Sequence, residues 1–142
     1  MQYSTSDYNP ELHDKFKALS VKQPYAQYIA SGEKTIEVRS KPTKYRGKLV
    51  ICSCKDGKPD DSTPGYGCTL AKVELYDCKP ISELTEKEWE KTKLDSDEVE
   101  KFCKMGIGYA WFLRNAESIK HVPIRGQLGI FNLVLTKGAI NQ

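Results

Sequence analysis

At 142 residues, with 39% hydrophobic and 29% charged side chains, the chain has the make-up of one globular domain, long enough to bury a core without a metal or disulfide staple. No window approaches the ~20 apolar residues of a membrane span, and the polar start MQYSTSDYNPELHDKF lacks the apolar core of a secretion signal, so a cytoplasmic protein with no membrane partner is expected. The net charge of +3 is uneven: nine Lys/Arg against Glu33 and Glu37 over residues 17–55, eight acids against four bases over 83–101, and five bases against Glu117 beyond, which anticipates one basic face and one acidic, solvated element.

Residues 1–16 show no apolar periodicity and read as an N-terminal arm, ahead of a domain over 17–136 and a short tail, 137–142. Residues 17–21 (KALSV) suit a strand. A compact helix should follow, because Pro24 fits a first helical position and Tyr25, Tyr28 and Ile29 recur at i, i+3 and i+4. Gly32 is placed to end it in the left-handed conformation. Residues 34–40 (KTIEVRS) alternate as a half-buried strand, with Ile36 and Val38 on one side and Thr35, Glu37 and Arg39 on the other. Residues 48–54 (KLVICSC) form a more buried strand, 55–67 (KDGKPDDSTPGYG) an exposed loop, and 68–77 a long strand. Thr85-x-x-Glu88 and Asp95-x-x-Glu98 are capping-box signals for one or two helices. Residues 109–113 (YAWFL) and 128–135 (LGIFNLVL) close the chain as strands about a turn at Gly126. The order β-α-β-β-β-αα-β-β, with helices inserted among strands, predicts an α+β fold: a small mixed β-barrel decorated by helices.

Most of the chemistry lies between Gly32 and Arg39. Glu37 and Arg39 stand two apart on a strand, side by side ~7 Å apart on one face, with Lys34 at the preceding corner. A carboxylate between two cations can orient them, hold a ligand amine or accept a proton; the plain alternative is a surface ion-pair ladder worth under ~1 kcal/mol. Lys22 and Gln23 precede a helix whose free N–H groups attract anions, although Pro24 alone explains a helix start. Tyr45-Arg46-Gly47-Lys48 joins an aromatic to two bases, as a base-stacking site requires, or is an ordinary charged turn. Tyr109 and Trp111 share one strand face and either fill a core or floor a pocket. Five cysteines, with no C-x-x-C pair and no histidine at ligand spacing, read as reduced buried thiols, and no metal or cofactor is expected.

Taken together, these segments resemble the ASCH domain, a branch of the PUA-like superfamily named for homology to a transcriptional coactivator. Three blocks in family order carry the likeness: residues 18–40 (ALSVKQPYAQYIASGEKTIEVRS) with the signature G-x-K-x-x-E-x-R, residues 45–53 (YRGKLVICS), and residues 108–134 with the turn R-G-Q-x-G. The acidic helices look like a variable insertion. The resemblance implies a PUA-like barrel with a cleft where Lys34, Glu37 and Arg39 gather, and RNA or a nucleotide as ligand. Some compact members are amidohydrolases of N4-acetylcytidine that use a Lys, a Thr three residues later and a downstream helical Glu. Lys34 matches the Lys and Glu90 is the helical candidate, but Glu37 stands where the pattern has Thr, and a carboxylate cannot directly replace a hydroxyl nucleophile. Ribonuclease activity, also ascribed to the family, would here lack a histidine pair.

The expected function is therefore a module for RNA, single-stranded nucleic acid or nucleotide. Lys22, Lys34, Arg39 and Arg46 would meet phosphate, Gln23 and Glu37 would complete the cleft, and Tyr45 or Trp111 would stack a base. One alternative is an amidohydrolase of an acylated nucleobase, with Lys34 as base and Glu37 holding water. The other is a protein-interaction domain that uses the acidic helices.

Overall fold

A computed structural model describes residues 1–54 and 67–142; the expected loop over 55–67 lies, but for its last residue, outside the described residues. The strands are β1 (Gln2–Tyr3), β2 (His13–Val21), β3 (Ile36–Arg39), β4 (Gly47–Ser53), β5 (Thr69–Pro80), β6 (Tyr109–Ser118) and β7 (Ile130–Thr136). The helices are α1 (Tyr25–Ser31), α2 (Glu86–Glu90) and α3 (Ser96–Met105). The expected α+β class holds, with helices inserted between strands in the expected order.

All the strands join one mixed sheet in the order β1-β7-β2-β4-β5-β6-β3, antiparallel throughout except for β2 beside β4. The sheet curls like a barrel but does not close, so β1 and β3 remain edges. Curling follows from irregular pairing along β5, whose register shifts against β6 between Lys72 and Glu74 and again between Leu75 and Asp77. Such bulges bend a strand and raise its twist. They bring β3 round until Arg39 Nη1 lies 3.5 Å from Ser20 O on β2.

Two expectations change at the N-terminus. Gln2 and Tyr3 pair with Leu135 and Val134, so the arm supplies an edge strand, and β2 begins at His13 where the sequence suggested Lys17. Both arise from pairing with β7, opposite Thr136 at its far end, which no local periodicity signals. Elsewhere local cues hold: Gly32 ends α1 at φ 85°, and Thr85 and Asp95 each close a full capping box. α1 packs on one face of the sheet with Leu19, Leu49, Ile51 and Trp111, while Ala18, Val50, Cys52 and Phe131 fill the other. Central strands buried on both faces explain the unbroken apolar run of β4.

The acidic insertion is attached differently. Thr35 N and Ile36 N both donate to Lys91 O, at 3.1 and 3.3 Å, docking the stretch after α2 on the open edge of β3. Neither α2 nor α3 buries a residue. No helix among the described residues is long and apolar enough to cross a membrane.

Candidate functional site

The signature strand turns its charged side inward. In the β3–β6 pairing Glu37 stands opposite Trp111, which belongs to the main core, while Ile36 faces a separate small cluster with Ala110 and Phe112. The polar side of the strand thus lines the interior of the curl. Glu37 is only 8% exposed. Its two oxygens are shared between cations: Lys34 Nζ lies 3.2 Å from Oε1 and Arg39 Nη1 3.2 Å from Oε2.

Lys34 is a structural hub. It is 2% exposed, and besides Glu37 it donates to Ile36 O at 2.8 Å and to Thr92 O at 2.6 Å. An ammonium has three N–H groups, and each has an acceptor here. Burial pushes the Lys34 pKa down, opposed by the adjacent Glu37 carboxylate. A bond to Thr92 O means that this one side chain ties the signature strand to the acidic insertion. Arg39 is freer. Its Nη1 is held by Glu37 and Ser20 O, its guanidinium carbon lies 5.7 Å from the Trp111 ring centre, and no hydrogen bond among the described residues reaches Nε or Nη2.

Beside this triad opens a cavity of about 640 Å³. The parallel strands β2 and β4 end on it together, Val21 opposite Ser53. Lys22, Glu37 and Arg39 line it, as do Glu98 and Phe102 from α3 and Arg125 from the loop before β7. Glu98 Oε1 accepts from Tyr25 OH at 2.7 Å; burial and this carboxylate together push the Tyr25 phenol well above its ordinary range. Arg125 is positioned from the far end of the chain: Gln2 Nε2 donates to Arg125 O at 3.0 Å, and Arg125 N donates to Gln2 Oε1 at 2.6 Å. The next residue, Gly126, lets the loop pass close to Ser20, whose Oγ would have to turn away from any Cβ placed there. That hydroxyl, buried at the cavity, has no hydrogen-bond partner among the described residues.

The other expected residues sit elsewhere. Gln23 is buried, and its Oε1 accepts from Gln27 N at 2.9 Å, occupying an N–H of a helix only seven residues long. Trp111 is 4% exposed with Nε1 donating to Lys41 O, so its ring is core and backs Arg39. Tyr45 OH donates to Lys48 O and Arg46 Nη1 to Thr43 O and Tyr45 O, and neither residue lines the cavity. The helical acid at the cavity is Glu98; Glu90 is exposed on α2. Glu98, Phe102 and Arg125 were missed from sequence. The i, i+4 pair Glu98 and Phe102, one face of a helix, was the available signal, hidden because the capping box already explained Glu98.

Residues 19–123 match the family model of the ASCH domain. The crystal structure of ASCH from Zymomonas mobilis is similar at a TM-score of 0.61 and 18% identity, over 76% of this chain and 73% of that one. A single-residue variant of the same bacterial protein matches at 0.59 and 16% identity, over 75% of this chain and 72% of its own. Identities this low speak for a shared fold. No curated protein matches the chain.

Proposed function

The chain belongs to the ASCH domain family, and from that premise we propose that its cavity binds single-stranded RNA or a nucleotide, gripping phosphate with Lys22, Arg39 and Arg125. The observation that carries this reading is Arg39. Glu37, Ser20 O and Trp111 fix its guanidinium at the cavity wall while Nε and Nη2 keep free donors among the described residues. A planar fork held in this way suits phosphate, because little side-chain freedom is lost on binding. Lys34, Glu37 and Arg39 together carry one net positive charge, and exposed Lys22 and Arg125 add two more at the rim, against the single negative charge of Glu98 on α3. A PUA-like fold, generally RNA-binding in kind, agrees with this charge pattern. The enzymatic alternative needs Lys34 as a base, but its side chain is buried against Ile36 O, Thr92 O and Glu37 and does not line the cavity.

Fluorescence anisotropy with a labelled single-stranded RNA, read across salt concentrations, tests the proposal. Three phosphate contacts give a log–log salt slope of about −2, at ~0.7 per contact. Lys22→Ala and Arg39→Ala should each shallow the slope by ~0.7. No binding at low salt, or an affinity indifferent to the double substitution, overturns it.

A further inference from the structure

We propose that α3 selects the base: Glu98 accepts a hydrogen bond from a nucleobase bearing an amino group, which lies against Phe102, and uracil is disfavoured. The inference rests on the nucleic-acid reading above. Glu98 and Phe102 line the cavity, and their spacing of four places them on one face of α3, with Leu94 beside them just ahead of the helix cap. Of the two carboxylates at the cavity, Glu37 has both oxygens engaged by Lys34 and Arg39. Glu98 does not. Its Oε1 takes Tyr25 OH at 2.7 Å and Asp95 N at 3.4 Å, and among the described residues no hydrogen bond reaches Oε2.

A half-buried carboxylate oxygen in a cavity also lined by Val21, Val38 and Ile124 is costly to leave unpaired, so it favours a ligand that brings a donor. The cavity is bipolar, with cation donors from β2, β3 and the Arg125 loop and an acceptor on α3. Its volume of about 640 Å³ suits one small ligand, such as a single nucleotide unit. With phosphate on the cations, the base would reach α3. There an exocyclic amino group of cytosine, adenine or guanine matches a carboxylate, whereas uracil shows carbonyl oxygens flanking its one N–H and repels it. Phe102 adds a stacking surface that is indifferent to base identity.

Cytosine and uracil, alike in shape but opposite in this pattern, make the test. The full chain is titrated with cytidine and uridine monophosphates and with oligo(rC) and oligo(rU), and the C-to-U affinity ratio is read. About a tenfold preference for C is expected, the scale of one matched charged hydrogen bond. Glu98→Gln, whose amide both donates and accepts, should bring the ratio to about one whatever it does to absolute affinity. Gln also serves at the third position of a capping box, so α3 is retained, as helical circular dichroism would verify. Phe102→Ala should weaken C and U alike. Equal affinities in the parent chain, or a preference that survives Glu98→Gln, overturn the inference while leaving the nucleic-acid reading standing. No binding of either series at low salt overturns both.

Discussion

The two walls of the cavity are built by opposite means. One is the curled sheet, where β2, β3 and β4 belong to a continuous hydrogen-bonded ladder and Glu37 is clamped between two cations. The other is the acidic insertion, which buries nothing from α2 or α3 and is tied to the body by Leu84, packed on the small Ile36 cluster, and by polar contacts: Thr35 N and Ile36 N to Lys91 O, Lys34 to Thr92 O, and Tyr25 OH to Glu98. The contrast assigns different tasks. A rigid wall can hold a guanidinium in one place for phosphate, while a lightly docked helix can adjust to the part of a ligand that varies. Local stability differs within a fold in this way, and binding elements are drawn from its weaker end.

Removing the strut that joins the two walls should cost most. Lys34→Met keeps the volume but leaves Ile36 O and Thr92 O unpaired and Glu37 with Arg39 alone, a loss of about 3 kcal/mol in urea melts. A variant as stable as the parent would mean that the hub is unnecessary.

A buried thiol gives the sheet its own response to alkaline pH. Burial pushes the Cys52 thiol up to about 12 from its ordinary 9.0, with Cys68 adding to the shift. The folded chain keeps that proton after the unfolded chain has lost it. Its contribution is therefore intact below pH 9.0 and drains away as pH rises toward about 12, on the order of 2–3 kcal/mol by pH 11. Urea melts of Cys52→Ala across this range should show a shallower decline than the parent.

Tyr25→Phe is the smallest change and touches only the insertion. Losing a part-buried hydrogen bond to a carboxylate is worth about 1.5 kcal/mol at most sites of this kind. Amide hydrogen exchange should quicken in α3 while β2, β4 and β7 keep their protection. Uniform quickening would mean that the two walls are one cooperative unit.

The same contrast explains what the sequence disclosed. α1, its Gly32 terminus, the alternation of β3 and both capping boxes depend on neighbours within a few residues, and all were legible. The inward turn of Glu37 was expected only through the family resemblance, because alternation tells which residues share a face but not which face the curl encloses. Lys34 looked like a flexible corner cation until Thr92, far along the chain, supplied its acceptor. Likewise Arg125 owes its position to Gln2, across nearly the whole chain, and no pattern in either segment announces the pairing. Trp111 shows the reverse case: the shared face with Tyr109 was correct, but its burial follows from packing with α1 and β4.

The central claim is a location, so the most direct measurement maps it. Amide spectra of isotope-labelled protein, recorded during titration with oligo(rC) at low salt, should shift at residues 20–22, 37–39, 94–102 and 125–129. The shifts should saturate together and fade as salt is raised. Shifts confined to the separate pocket around Lys48, Lys72 and Glu117, or spread evenly over the protein, would contradict the account.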